Sequence, residues 1–217
     1  MTPLRARQRE KRVSAILAAA RDEFQRSGFS DSKIETIAAN AEVAPATIYN
    51  YFRDKAGLLL EIFKDHGEQI RSVLAEAASN PPDDPLVAID QYFALVFDHS
   101  EHDLSRVLWR EAYAASYSAP GEALGGIVTQ ADSHLYEDMR RLFEVLQDRG
   151  TLGSQIGAHD LSEIALAVGN LQWSRYLMGK TELEEARTDA IRQIKILLDG
   201  AGGKAVQATA PPLSRVG

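Results

Sequence analysis

Ser32-Lys-Ile-Glu-Thr-Ile-Ala-Ala-Asn-Ala-Glu-Val-Ala-Pro-Ala-Thr-Ile-Tyr-Asn-Tyr-Phe-Arg-Asp-Lys55 reads as two short helices around a tight turn. Ser32 and Glu35 have the spacing of a capping box, in which hydroxyl and carboxylate satisfy each other's backbone donors. Ile34, Ile37 and Ala38 then fall on one helical face. Asn40–Val43 makes the turn, and Pro45 stands at the first position of the next helix, where its missing N–H costs nothing. Ile48 and Phe52 point inward from that helix. Pro45, Ala46, Thr47, Tyr49, Asn50 and Arg53 are left outside. A preceding helix, expected over Arg9–Ser27, carries the stripe Val13, Ile16, Leu17, Ala20 and Phe24, with Gly28 placed for a left-handed cap.

The outward set has a definite chemistry. Hydroxyls on Thr47 and Tyr49 and cations on Arg53 and Lys55 suit phosphate oxygens, and a helix of this kind suits a DNA major groove. Ala44, Pro45 and Ala46 are too small to hydrogen-bond guanine but could approach thymine methyls. Asn50 could pair with adenine. Tyr49 and Tyr51 could equally pack the small domain. Arg5, Arg7, Arg9, Lys11 and Arg12 form a basic arm that could track phosphates or enter a minor groove, or be a solvated, frayed start. Charge is divided in the same sense. The net charge is -7, yet residues 1–55 hold ten Lys/Arg against seven acids and the remainder 14 against 24. A basic end on an acidic body offers one patch to phosphate while the rest repels it.

Beyond residue 55 apolar residues recur at helical spacing and strand-like alternation is missing, so the expected class is all-α, with about nine helices. Helix 4 is expected from Lys55 to about Ala78 and helix 5 from the Asp84 cap to about Ser100. Helix 6 should cover about Asp103–Tyr117 and helix 7 reach Arg149. Helices 8 and 9 should open at Asp160/Glu163 and Thr181/Glu184. The three expected regions are 1–54 (helix-turn-helix with basic arm), 55–199 (a helical body) and a disordered tail, 200–217. With no cysteine, no apolar run near the ~20 residues of a membrane span and no leader-like start, a cytoplasmic protein is expected. His99 and His102 lack the companions a metal site needs, and no nucleophile–base set or phosphate-cradling loop is visible. No metal, no cofactor and no enzymatic activity are expected.

Ile16-Leu-Ala-Ala-Ala20, Phe24, Gly28-Phe29, Ile37-Ala38, Val43, Thr47-Ile48-Tyr49, Tyr51-Phe52, Lys55 and Leu58-Leu59 together resemble the tetracycline-repressor-like (TetR/AcrR) transcriptional regulators, over roughly residues 9–62. The resemblance implies an all-α homodimer. Its N-terminal domain would bind a palindromic double-stranded operator, and its C-terminal domain would bind a small-molecule effector that releases the protein from DNA. It implies phosphate contacts at Thr47, Tyr49 and Lys55, base contacts at Pro45, Ala46 and Asn50, and a position for Tyr51 at the edge. Lys33, in place of a frequent Thr or Ser, could add a phosphate contact. Glu42 stands where glycine is usual and Ala44 where a serine commonly caps. It implies pairing of helices 8 and 9 with their mates, through Leu161, Ile164, Val168, Leu171, Ile191, Ile194 and Leu198.

Tyr92, Trp109, Glu111, Tyr113, His134, Asn170 and Trp173 are the candidate effector contacts, suiting an aromatic or moderately hydrophobic molecule with one or two polar handles. Glu111 interrupts the apolar stripe of helix 6, so it needs Arg106, Arg110 or a cationic or hydroxylated ligand. Two other readings stay open: a basic head that binds a protein or anionic surface, and a ligand-binding protein whose DNA head has decayed.

Overall fold

Nine helices make up the described residues, 3–119 and 122–201 of the computed structural model, with no strand among them. They are α1 (Pro3–Asp31), α2 (Ile34–Asn40), α3 (Pro45–Phe52), α4 (Lys55–Ser79), α5 (Pro85–Asp103), α6 (Arg106–Ser118), α7 (Ala123–Asp148), α8 (Ala158–Leu177) and α9 (Leu183–Ala201). The all-α expectation holds. Helices α1–α3 form the N-terminal helix-turn-helix unit, and α4 leads from it into the helical body.

Several ends differ from the sequence reading. α1 begins at Pro3, so the basic arm is the opening of a helix; Arg, Lys, Gln and Glu are good helix formers and nothing in the run breaks it. Gly28 has φ 75 and ψ 168, a positive-φ conformation that favours glycine but lies outside the left-handed helical well, so α1 is kinked there instead of closed by a left-handed cap. The Ser32 capping box does not form: its hydroxyl donates back to the Phe29 carbonyl at 2.7 Å, and Lys33 is the N-cap residue. α8 starts two residues before Asp160, which lies in its first turn, where a carboxylate complements the helix dipole. Thr181 donates to the Glu185 carboxylate at 2.7 Å, and α9 starts at Leu183. α9 continues through Ala201, into the expected tail, and residues 202–217 lie outside the described residues.

Two aspartates do cap. Asp84 Oδ1 accepts from Leu86 N at 2.8 Å and Val87 N at 3.2 Å, and Asp54 accepts from Gly57 N at 2.7 Å.

Two apolar cores run through the described residues. One joins Leu74 on α4 to α5, α7, α8 and α9 around Tyr92, Leu142, Phe143 and Ile194. The other starts in the helix-turn-helix, where Ile16, Phe24, Ile37, Ile48 and Phe52 are buried. It does not stop there. Through Leu58, Leu59, Ile62 and Phe63 of α4 it continues into Phe97, Leu108, Trp109, Trp173 and Tyr176 of the body.

The α3–α4 junction is the tightest point of this path. A β-carbon added at Gly57 would collide with the backbone carbonyl oxygen of Phe52, so α3 closes on α4 only over a glycine. Helix propensity alone favours Gly57→Ala by about 1 kcal/mol. The clash reverses that sign, and the substitution is expected to lower stability by about 1–3 kcal/mol. A urea denaturation midpoint at or above that of the unsubstituted protein would contradict this.

Candidate nucleic-acid interface and effector cavity

The turn between α2 and α3 is closed by Ala41 N to Ile37 O at 2.9 Å and Val43 N to Ala38 O at 2.9 Å. Glu42 sits inside it at φ 54, the left-handed conformation anticipated for this position, where a β-carbon costs roughly 1–2 kcal/mol. The buried Glu23 carboxylate accepts from the Lys33 backbone N–H and pairs with Arg26; the Arg26 contact, ahead of the others, holds its pKa below the ordinary carboxylate value. Thus the N-terminus of α2 is satisfied from α1, not by Ser32.

α3 turns Pro45, Ala46, Tyr49 and Asn50 to solvent, with Thr47 half-buried beside them and Lys33 exposed nearby. Ala44 supplies no capping oxygen, so no side chain takes up the first N–H groups of α3. The other two positions are engaged within the chain. Tyr51 is half-buried against Phe52, with the Arg9 guanidinium 5.4 Å from its ring centre. Lys55 Nζ donates to the carbonyls of Ser30 at 2.9 Å and Ser32 at 3.1 Å, and lies 4.8 Å from the Phe29 ring centre. An ammonium with three donors retains one for another acceptor.

Arg53 was legible only as a cation. It has φ 69 and ψ −50, and Asp54 N donates to Phe52 O at 2.8 Å, which together make the strained form of a γ-turn. That turn brings Asp54 to its capping position on α4 and leaves Arg53 exposed beside α3.

In the body, α5, α6, α7 and α8 enclose a cavity of about 60 Å³. Tyr92, Trp109, Tyr113, Asn170 and Trp173 line it, and Glu111 and His134 do not. On α6 the inward face is Leu108, Trp109 and Ala112, which leaves Glu111 half-buried to one side. Arg106 does not meet it, lying instead 4.0 Å from the Tyr176 ring centre. His134 is on the exposed face of α7.

The residue missed in the sequence is Asp132. It lies between Val128 and Leu135 on the apolar stripe of α7, the same interruption that marked Glu111 on α6. Asp132 lines the cavity, and burial raises its pKa, offset in part by Asn170, whose Nδ2 is 3.4 Å away. Burial, and then the charge of Asp132, push the Tyr113 phenol well above its ordinary value. At the far side Asp138 accepts from Arg71 at 2.8 Å and from the Tyr92 hydroxyl at 3.2 Å; burial followed by Asp138 raises the Tyr92 phenol likewise.

Of the apolar residues named on α8 and α9, Leu161 and Ile194 are buried in their own chain's core. Val168, Ile191 and Leu198 are partly buried, and Ile164 and Leu171 are exposed. Ile196, outside the sequence-level stripe, is 64% exposed.

Comparison with known proteins places this geometry. The family described as bacterial regulatory proteins, tetR family, matches residues 16–62. The chain is 29% identical over 206 residues to the HTH-type transcriptional regulator BetI of Cronobacter sakazakii, spanning 93% of this chain and 94% of the relative. A TetR-family regulator structure from Mesorhizobium loti superposes with a TM-score of 0.70 at 17% identity, over 88% of this chain and 96% of that one. Thermus thermophilus FadR, a TetR-family repressor in complex with lauroyl-CoA, gives 0.60 at 17% identity, over 92% and 98%. At those identities the two structures speak to the fold.

Glu42→Gly removes both the left-handed strain and an acid beside α3. It is expected to raise stability by about 1 kcal/mol and to tighten DNA binding at low salt. Thermal melting and fluorescence anisotropy with duplex DNA would read the two effects, and a destabilised variant would refute the strain assignment.

Proposed function

This chain is a TetR-like transcriptional regulator, not an enzyme, and on that premise we propose that it is a homodimeric, cytoplasmic repressor, released from a palindromic operator when a small molecule enters the α5–α8 cavity. Residues 1–54 serve as the reading head and residues 55–199 as the effector-binding and dimerisation region. The observation that carries this reading is the continuity of the apolar core from α3 to the cavity wall. Phe63 of α4 meets Trp109 at 5.0 Å between ring centres, and Trp109 meets Trp173 at 5.7 Å.

Polar ties reinforce that path. Arg21 holds Asp65 at 2.5 Å, binding α1 to α4, and Arg71 holds Asp138 at 2.8 Å, binding α4 to α7. A molecule that parts Trp109 from Trp173 displaces α6 from α8, and a shift of α6 is passed through Phe63 to α4, which carries the head. Two heads must reach successive major grooves about 34 Å apart, so a displacement of α4 in each protomer weakens both contacts together. Coupling of about 1–3 kcal/mol corresponds to a 5- to 150-fold change in operator affinity.

On the DNA side Thr47, Tyr49, Lys33, Arg53 and the remaining donor of Lys55 address phosphates, while Pro45, Ala46 and Asn50 face the bases and Tyr51 braces the edge. The exposed Ile164 and Leu171 on α8 and Ile196 on α9 support pairing of those helices across a two-fold axis, with Val168, Ile191 and Leu198 at its margin.

Capture of sheared genomic DNA from the source organism by the full chain at physiological salt tests the reading, and enriched sites sharing a palindrome are expected. On such a site Thr47→Ala and Tyr49→Phe should each weaken binding about tenfold, the loss of a hydrogen bond to a charged group. Arg53→Ala should lower the salt slope by about one. Variants that bind DNA as tightly as the parent would overturn the proposal.

A further inference from the structure

We infer that the effector is a small organic cation, an amine or quaternary ammonium, held in the α5–α8 cavity by aromatic faces with Asp132 as its counter-ion. The inference rests on the effector-binding reading above and names the ligand class of that site.

Three observations support it. The wall is aromatic on several sides: Phe97, Trp109, Tyr113 and Trp173 all line the cavity, Phe97 and Trp173 with ring centres 5.4 Å apart. Such rings attract a cation through their negative faces, by about 0.5–2 kcal/mol for each good contact. Next, Asp132 is the one acid lining this cavity, and no Lys, Arg or His lines it among the described residues. Its polar contact, from Asn170 Nδ2 at 3.4 Å, is long and carries no charge. By contrast Asp138, at the Tyr92 end, already has the Arg71 guanidinium. Asp132 is half-buried; a carboxylate partly withdrawn from water with no cation beside it is unfavourable, and a cationic ligand would relieve it.

The approach has the same sign. Asp132 and Asn170 also border the open groove between α7 and α8, whose charged lining residues are Asp132, Glu137 and Glu163. Arg140 pairs with Glu137 at 2.8 Å, and His159 stands 3.9 Å from Glu163, so Asp132 is the acid of the three for which no basic partner is seen. A carboxylate or phosphate ligand would meet three acids among the lining residues of this route and no Lys, Arg or His among them. In this respect the cavity does not suit an acyl chain ending in an anionic head group.

The chain has two tryptophans, Trp109 and Trp173, and both line the cavity, so intrinsic fluorescence reads its occupancy. Three probes of similar branched bulk separate the possibilities: tetramethylammonium, neutral tert-butanol and anionic pivalate. Tetramethylammonium is expected to bind at least about tenfold more tightly than the other two. Asp132→Asn should remove that preference and Asp132→Glu restore part of it, with the thermal midpoint of each variant recorded to confirm folding. Equal or tighter binding of pivalate or tert-butanol, an unchanged preference in folded Asp132→Asn, or no binding by any probe would overturn the assignment.

Operator binding measured alongside separates this inference from the regulatory reading. A cation that binds at Asp132 without weakening DNA binding supports the ligand assignment and removes the release mechanism. Pivalate binding with release of DNA overturns the ligand assignment and leaves the release mechanism standing.

Discussion

Phe63, Trp109 and Trp173 meet edge to face, and these ring contacts tie α4, α6 and α8 into one packed path. Aromatic pairs at such separations add about 0.5–1.5 kcal/mol each beyond the area they bury. Their larger effect is geometric. Trp109 is fixed at its polar end as well, its indole N–H donating to the Ser100 carbonyl at 2.9 Å, so its ring cannot slide without breaking that bond. On α4, one turn beyond Phe63, the His66 ring stacks on His99 at 4.3 Å and meets Trp109 edge-on at 5.5 Å. A close-packed interior has few intermediate arrangements, and a displacement at such a contact is passed on instead of absorbed.

The helix-turn-helix is built with strain at both ends of α3. Glu42 before it and Arg53 after it both have positive φ, and neither is glycine. Each costs free energy that the surrounding core offsets: Ile48 and Phe52 are buried, and the Asp54 cap and Gly57 hold α4 against the α3 terminus. Strain of this sort collects where a surface must be held in one shape. Here it holds the outward face of α3 at a set angle to α4. Lys55 adds to the same end, because its ammonium bridges the carbonyls at the α1–α2 junction to the first residue of α4.

Much of this was readable from residue spacing. The stripes of α1 and α7, the buried faces of α2 and α3 and the Asp84 cap followed from 3.6-residue periodicity and local hydrogen-bonding chemistry, which act within a few residues. What spacing did not show came where a distant partner competed. Ser32 has the right spacing for a capping box, but the Glu23 carboxylate from α1 reaches the Lys33 N–H, and the hydroxyl turns back to Phe29. Lys55 looked free for phosphate because the carbonyls that take it are 23 and 25 residues earlier. At the cavity, Tyr92, Trp109, Tyr113 and Trp173 lie in the wall as their stripes suggested, whereas Asp132 takes the lining position and Glu111 does not. Glu111 and Asp132 interrupt similar stripes, and only the packing of α7 against α8 decides that Asp132 faces inward. Leu161 and Ile194 show the converse limit: an apolar position on a stripe does not say which of two neighbours, its own chain or another, will cover it.

The unbroken core also bears on how the molecule melts. A head of this size buries a marginal interior by itself, and the cluster that holds Ile48 and Phe52 continues through α4 into the body. A shared core of this kind favours one cooperative transition for head and body, and an excised reading head would lose the part of that core contributed by the body. By mass action, a molecule occupying a cavity walled by Trp109 and Trp173 would then raise the melting temperature of the whole chain, the distant helix-turn-helix included, without touching it.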